Sequence, residues 1–446
     1  MAGLMLAIFV AAMDSTVVGT ALPTVAHQLG DFSLYPWVFS GYLLTATTTV
    51  PIWGRLADLF GRRRVLIAGL GIFVVASVLC GLSPSMPALI VFRTLQGVGA
   101  GCLQPLIFTI VSDLFPVAQR ARLQGFFSAM WAIASLIGPS IGAVFVSTIG
   151  WRWIFGINLP IGLVAGALLW GYRERRPEGR RQRVEVLGAV MLTAGVGFLL
   201  WGVGTGSSNA RPIWPAAAAG VALLTAFVLR ERRSESPTVP LDLLGRRLIA
   251  LAIATTMVAG TVMFSITAYV PLYVQNGLGG SPYAAGAAAA PIAFGWPVGS
   301  VLAGQLLLKV GFQRLVIAGA TALVGGCAML ATIAHSALSA GVSVAVIGLG
   351  MGLLSLPLLL VIQGAADWSR RGAATALNQF SRTIGGAVGV SLLGVLLEAR
   401  VGTGATGAHL VAGVQIIFGV TFGLAVVTLV LTLAMLAGRR NQPEPF

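Results

Sequence analysis

An aspartate and an arginine stand inside two long apolar runs of the sequence. Asp14 lies in MDSTVVGTALP, residues 13–23, and Arg93 lies in LIVFRTLQGVGAG, residues 89–101. A permanent charge near the middle of a membrane span costs at least about 2.5 kcal/mol on insertion scales. Asp14 must therefore be paired, hydrated or protonated for part of its working cycle, and those are the properties of a proton carrier.

The apolar run around Arg93 supplies a partner for that carboxylate. Gln96 follows Arg93 by three residues and shares its helical face. We expect Arg93 to hold Asp14 ionised until a proton or a substrate displaces it. The alternative is structural: Asp14 bonded to neighbouring hydroxyls, and Arg93 snorkelling or bonded to carbonyls.

A short charged turn, GRLADLFGRRRVL, separates two other apolar runs at residues 54–66. Such a dense charge cluster must lie where the membrane meets water. Gly54 and Gly61 allow two helix ends to approach closely, and Asp58 is expected to face a helix N-terminus or an arginine such as Arg62.

The run ASLIGPSIGA carries Gly138, Pro139 and Gly142 inside a predicted helix. Proline removes one backbone hydrogen bond and clashes with the preceding turn, while glycine removes side-chain bulk. We therefore expect this helix to bend and to pack tightly there.

Two charged residues occur late in the chain. Glu398 lies near the end of an apolar run and Arg382 lies within it. Glu398 is a candidate second proton site or cation contact; the alternative is a solvated acid beside Arg400.

The composition indicates that membrane-spanning helices position these residues. Of 446 residues, 57% are hydrophobic and 9% charged, and the mean hydropathy is +0.92, so most apolar side chains must face lipid. A span needs about 20 apolar residues. Fourteen spans are predicted, at 3–25, 36–57, 65–83, 87–113, 122–148, 153–172, 186–206, 212–230, 248–275, 283–308, 314–335, 338–364, 373–398 and 409–437.

Polar linkers divide these spans into groups of six, two and six. The predicted units are a six-helix bundle at 1–172, cytoplasmic linkers with two inserted helices at 173–247, a second six-helix bundle at 248–438, and a tail at 439–446. The predicted fold is therefore an all-α membrane protein.

The net charge of +15 is distributed unevenly. Read with the N-terminus inside, alternate loops hold nearly all the basic residues, and the intervening loops hold only Arg152, Arg211 and Arg400. This positive-inside pattern places both termini in the cytoplasm and argues against a nucleic-acid partner, which needs a continuous basic face.

The two bundles contain a short internal sequence repeat. GQLLLKVGFQR at residues 304–314 repeats the spacing of the charged turn, with leucine in place of its acid. The matched positions are Gly54 and Gly304, Leu56 and Leu306, Gly61 and Gly311, Arg64 and Arg314, with Leu308 replacing Asp58.

Taken in order, these motifs resemble the fourteen-helix drug:proton antiporters of the major facilitator superfamily. The resemblance rests on MDSTVVGTALP, the charged turn, the Arg93-Gln96-Gly97 run, Gly138-Pro139 and WRWIFGINLPIG at residues 151–162, and it covers essentially the whole chain. It implies proton-coupled export of lipophilic or cationic drugs by alternating access of two bundles in the cell membrane, by a monomer and without a cofactor or metal. From the residues alone, the Trp151 region is only an interfacial anchor.

The resemblance also implies roles. Asp14 and Arg93 would be the proton-linked pair, Asp58 and Arg62 with Asp113 the cytoplasmic gate, and Gly138-Pro139 the antiporter bend. Gly19, Ala134 and Ala143 depart from the residues usual in that family. The candidate substrate-cavity residues are Gln96, Trp131, Phe264, Gln275, Trp296, Asn378, Gln379 and Phe380.

Two other functions remain open. The same scaffold would serve an exporter or flippase of a lipid or native metabolite, with an apolar cavity that opens to the bilayer. A channel or intramembrane enzyme is the remote alternative, since neither a ring of like polar groups nor a clustered constellation of catalytic residues is evident, and no GxxxxGK[ST] sequence is present. Cys80, Cys102 and Cys327 have no metal-ligand spacing and are predicted to be core residues.

Overall fold

The computed structural model describes residues 1–29, 35–171, 186–204, 214–233, 241–280, 282–367, 370–401 and 407–437. This part of the chain is helical throughout its regular elements and contains no strand, which confirms the predicted all-α class. The first helices are α1 (Ala2–Leu29), α2 (Tyr35–Thr48), α3 (Val50–Phe60), α4 (Arg62–Gly81), α5 (Met86–Leu114), α6 (Val117–Thr148), α7 (Trp153–Gly156) and α8 (Asn158–Trp170).

The remaining helices follow residues 172–185, which lie outside the described residues. They are α9 (Val186–Gly204), α10 (Trp214–Glu231), α11 (Arg247–Leu272), α12 (Pro282–Ala289), α13 (Pro291–Val310), α14 (Phe312–Thr332), α15 (Ala337–Ala365), α16 (Arg371–Val401) and α17 (Gly407–Ala437). A short 3-10 helix (Leu241–Gly245) precedes α11, and a π-helical turn (Tyr273–Gly277) follows it.

Five pairs of described helices are separated by a single residue, and three of these breaks lie inside a predicted span. These three breaks fall at Thr49, Ile157 and Ala290, and a proline follows the first and third within two residues. Joined across these breaks, the seventeen described helices form fourteen segments that match the predicted spans to within a few residues. Nine of the described segments are long and apolar enough to cross a membrane, and shorter apolar stretches lie in α1, α6 and α9.

The segments pack in two groups. Helices α1 to α8 enclose two buried apolar clusters, around Leu66 with Phe73 and around Met86 with Leu89. Helices α11 to α17 enclose a third, which includes Phe312 and Phe418. We call these groups the N-terminal half and the C-terminal half.

Equivalent turns occur in the two halves, as the internal sequence repeat predicts. Gly61 joins α3 to α4 with φ of 92°, and Gly311 joins α13 to α14 with φ of 85°, a region that other residues rarely adopt. Ser85 caps α5 and Ser336 caps α15, each with extended backbone and a side-chain oxygen that accepts from the first turn.

Helices α9 and α10 form a separate pair. Gly220 of α10 lies so close to α9 that an added Cβ would stand 2.6 Å from the backbone nitrogen of Leu199. Helix α9 contacts α2 of the N-terminal half and α16 of the C-terminal half, so the pair lies along the boundary between them.

Candidate functional site

The deepest polar cluster of the N-terminal half surrounds Asp14. The Arg93 Nη1 atom lies 2.8 Å from Asp14 Oδ2, and the Gln96 Nε2 and Asn158 Nδ2 atoms each donate to Asp14 Oδ1 at 2.9 Å. Arg93 also donates to Gln96 Oε1 at 2.7 Å. The predicted contact between Asp14 and Arg93 is therefore present, and Gln96, on the same helical face as Arg93, contacts both of them.

This cluster is closed to solvent. Arg93 is 0% exposed and Asp14 is 2% exposed. The Arg93 guanidinium lies 4.2 Å from the ring centre of Tyr42 and 5.7 Å from that of Phe155, so aromatic faces cover the part of the cation that the carboxylate leaves free. In such surroundings, a change in the charge of Asp14 cannot be absorbed by water and must alter its contacts.

Three helices meet at the carboxylate: α1 carries it, and α5 and α8 supply its partners. Asp14 lies in the middle of α1, Arg93 and Gln96 lie one turn apart on α5, and Asn158 is the first residue of α8. Ser77 of α4 fixes Asn158, because its Oγ atom accepts from Asn158 Nδ2 at 2.9 Å and donates to the carbonyl oxygen of Phe155 at 2.9 Å. Loss or gain of a proton at Asp14 therefore changes the hydrogen bonds that join α1, α5 and α8.

Sequence reasoning assigned the stretch around Asn158 only to anchoring at the membrane interface, and that was wrong in two respects. Asn158 is fully buried on Asp14, and Trp151 is 1% exposed and donates to Gln28 Oε1 at 2.8 Å. Trp153, at 58% exposed, does face outward as an anchor would. The signal in the sequence that could have identified Asn158 is a polar amide side chain at the start of an apolar run.

The charged turn forms a second polar cluster, at the contact between the halves. Asp58 accepts from the backbone N–H groups of Gly372, at 3.2 Å, and Ala373, at 3.0 Å, in the first turn of α16. Arg62 lies 3.6 Å from Asp58 and forms a second ion pair with Asp113 at the end of α5. The expectation that Asp58 faces a helix N-terminus or an arginine is met by both partners at once.

Glycine makes this contact possible. A Cβ added to Gly54 would stand 2.6 Å from Ala376 Cβ and 2.9 Å from the carbonyl oxygen of Gly372, so α3 and α16 touch through bare backbone. Gly61 then turns the chain into α4 so that Arg62 reaches Asp58 and Asp113.

The predicted bend lies in α6. This helix runs from Val117 to Thr148. Gly138 packs directly on Thr16 of α1, whose Oγ1 donates to the carbonyl oxygen of Ala134 at 3.1 Å, and Gly142 is buried. Tight packing is confirmed; the side chain of Pro139 lies outside the described residues, and the bend stays a prediction.

A cavity lies between the halves. It is a narrow space between Phe108 of α5 and residues of α11, α13, α15 and α16. Trp296, Asn378 and Gln379, which were all predicted to be cavity residues, line it together with Arg382. Asn378 Oδ1 accepts from Thr256 Oγ1 at 3.0 Å, which fixes the amide at the wall.

The other predicted cavity residues do not line this space. Gln96 belongs to the Asp14 cluster, and Trp131 packs between the two apolar clusters of the N-terminal half. Phe264 lies against Gly386 and Phe380 packs on the core of the C-terminal half. Gln275 is exposed in the π-helical turn. Trp131, Phe264, Gln275 and Phe380 therefore lie away from this space, and their assignment to a substrate cavity stays a prediction.

Two polar residues of the cavity region were not recognised as partners from the sequence. Gln104 of α5 accepts from Gln379 Nε2 at 2.7 Å, and Gln379 in turn accepts from Arg382 Nη2 at 2.7 Å. Glu398, the remaining candidate, lies in α16, but its side chain is outside the described residues. The three cysteines are buried, as expected of core residues.

Comparison with known proteins gives one consistent family. Residues 4–390 match the model of the Major Facilitator Superfamily. The chain is 36% identical over 410 residues to the multidrug transporter protein MdtP of Bacillus subtilis, covering 90% of this chain and 75% of the relative. It is 31% identical to multidrug resistance protein 3 of the same organism, covering 88% and 78%.

Solved structures agree on the fold. The human organic anion transporter MFSD10 superposes with a TM-score of 0.70 at 15% identity, over 96% of this chain and 98% of that one. The proton:xylose symporter XylE gives 0.67 at 17% identity, over 99% and 95%.

Proposed function

The chain belongs to the Major Facilitator Superfamily, and on that premise we propose that it exports lipophilic or cationic drugs in exchange for protons. It is a multi-pass membrane transporter of small molecules and not an enzyme. The names of its relatives support drug efflux. Proton exchange rests on the chain's own residues.

The observation that carries the proposal is the buried contact of Asp14 with Arg93. When Asp14 is ionised, Arg93 neutralises it, and Gln96 with Asn158 satisfies its second oxygen. A proton on Asp14 cancels the attraction and leaves Arg93 as an uncompensated buried cation, which is costly. Protonation therefore favours a rearrangement of α1, α5 and α8, and a substrate that restores the ionised form would exchange with the proton.

The contacts between the halves supply the moving part of the mechanism. Asp58 holds the first turn of α16, Gln104 holds Gln379, and Gly125 of α6 packs on Val301 of α13. With the positive-inside orientation, the Asp58 contact lies on the cytoplasmic side, so the path between the halves is closed on that side. Breaking the Asp58 and Arg62 contacts would let the halves part there, which is alternating access.

The same proposal assigns the remaining parts. The two halves act as bundles at 1–172 and 248–438, with the inserted pair between them, both termini face the cytoplasm, and the protein works in the cell membrane as a monomer. Glu398 is a candidate second proton site. Gly138, Pro139 and Gly142 would hold α6 against the proton-carrying helix α1.

Transport in proteoliposomes tests this function. Purified protein is reconstituted, a pH gradient is imposed, and uptake of a lipophilic cation, a neutral drug and a labelled phospholipid is followed side by side. Gradient-driven movement of the drugs, abolished by a protonophore, is the expected result. Movement of the lipid alone would favour the lipid exporter, and movement of none would remove the antiporter assignment.

A further inference from the structure

The inserted helix pair ends on a buried acid. Glu231 is the last residue of α10 and is 2% exposed, although its neighbour Arg232 is exposed. Phe227 lies one turn earlier on the same helical face and belongs to the buried apolar cluster of the C-terminal half, as do Leu192 and Val196 of α9. The pair is therefore packed against the C-terminal half, and the positive-inside orientation places Glu231 at the cytoplasmic end of the pair.

An arginine of the N-terminal half lies within electrostatic reach of this acid. Arg55 follows Gly54, the residue at which α3 and α16 touch through bare backbone. The Arg55 guanidinium is attracted by the carboxylates of Glu231 and Asp58, and it is repelled by Arg370, which directly precedes α16. Charges from both halves and from the inserted pair therefore meet at Arg55.

Arg55 and Arg370 are a like-charge pair across the contact between the halves. Both are half-buried, and like charges in a partly dry contact favour its separation unless an acid offsets them. Asp58 is already engaged by Arg62 and by the first turn of α16. Glu231 adds a second acid, which comes from the inserted pair.

We propose that the inserted helix pair latches the cytoplasmic gate, with Glu231 as a positioning residue that offsets the repulsion between Arg55 and Arg370. This inference rests on the proposed alternating access and gives the inserted pair a role in it. When the halves part on the cytoplasmic side, α3 leaves α16 and Arg55 moves away from Glu231. Opening must therefore overcome this attraction as well as the Asp58 contacts, so the charge of Glu231 favours the closed arrangement.

Distances between spin labels on the purified full-length protein in detergent test the latch. Labels at the exposed residues Phe60 and Lys309 report the separation of the halves on the cytoplasmic side. Glu231→Gln should raise the ratio of open to closed molecules at least about 5-fold, because the repulsion between Arg55 and Arg370 is then no longer offset. Adding Arg370→Gln to Glu231→Gln should restore the wild-type ratio, since one of the two cations is then gone.

The matched control is Arg232→Gln, which removes an exposed charge next to Glu231 and should leave the ratio unchanged. An unchanged ratio in Glu231→Gln, or a change of equal size in Arg232→Gln, would overturn the proposal. Failure of Arg370→Gln to restore the ratio would also overturn it, because a purely structural role of Glu231 predicts that result.

The double variant also decides the case in which Glu231→Gln alone does not fold. Glu231→Gln/Arg370→Gln should then fold and remain closed, and its failure to do so would refute the latch. Failure of gradient-driven drug transport with the expected distances intact would refute only the export function.

Discussion

The two halves of the molecule have equivalent turns and helix starts, and they differ in how an arginine inside each half is paired. Gly61 and Gly311 make equivalent turns, and Ser85 and Ser336 start equivalent helices. The N-terminal half encloses an arginine that is paired with Asp14, whereas Arg382 of the C-terminal half faces a cavity without an acid. Repetition thus sets the architecture, and the two halves differ in whether an acidic side chain pairs with the arginine inside them.

The largest expected effect comes from removing the acid of the paired site. Asp14→Asn should abolish gradient-driven transport, because the amide cannot carry a proton and its NH2 group replaces one of the two oxygens that accept hydrogen bonds from Arg93, Gln96 and Asn158. Substrate counterflow without a gradient should persist. Asp367→Asn, at an exposed acid, is the control. Gradient-driven transport at the wild-type rate in Asp14→Asn would contradict the assignment of Asp14.

Removing Arg93 and Arg382 in turn tests the same comparison. Arg93→Gln should lower the stability by about 3–5 kcal/mol, since it leaves the carboxylate of Asp14 buried without its cation. Arg382→Gln leaves no such orphan and should cost far less. Unfolding of both variants in detergent measures the difference, and Asp14→Asn/Arg93→Gln should recover part of the loss. Equal stability losses for the two single variants would remove the distinction drawn between the halves.

The proposed gate also distinguishes the halves, because Leu308 stands where the first turn has Asp58. Asp58→Asn removes the charge that binds Arg62 and the first turn of α16, which should cost about 1–3 kcal/mol and shift the open–closed equilibrium roughly 5- to 150-fold. Spin labels at the exposed residues Phe60 and Lys309 should report a longer distance between the halves. Arg314→Gln, in the mate turn, is the control, and an unchanged distance in Asp58→Asn would exclude a gating role.

The smallest effects test what the halves have in common. Gly61→Ala and Gly311→Ala should each destabilise by about 1–2 kcal/mol, because both glycines have positive φ. Gly71→Ala is the matched control: Gly71 lies in helix α4 with open space around it, and alanine there should stabilise by about 0.5–1 kcal/mol. Unequal costs at Gly61 and Gly311 would mean that the two turns are not equivalent.

The sequence predicted the segments and the polar clusters better than the cavity. A lone acid in an apolar run must find a cation, so Asp14 and Arg93 were recognisable, and the glycines around Asp58 marked a close approach. Helices such as α8 and α15 are apolar on every side, so their sequences do not show which face meets the cavity. For that reason Asn158, the first residue of α8, was taken as part of an anchor, although packing places it on Asp14.

Proton release on substrate binding tests the central claim most directly. Purified protein in weakly buffered detergent solution is mixed with a lipophilic cation, and a pH indicator counts the protons released. The wild type should release protons in proportion to the substrate bound, while Asp14→Asn should bind the substrate and release none. Equal release from the wild type and Asp14→Asn would show that the exchanged proton resides elsewhere.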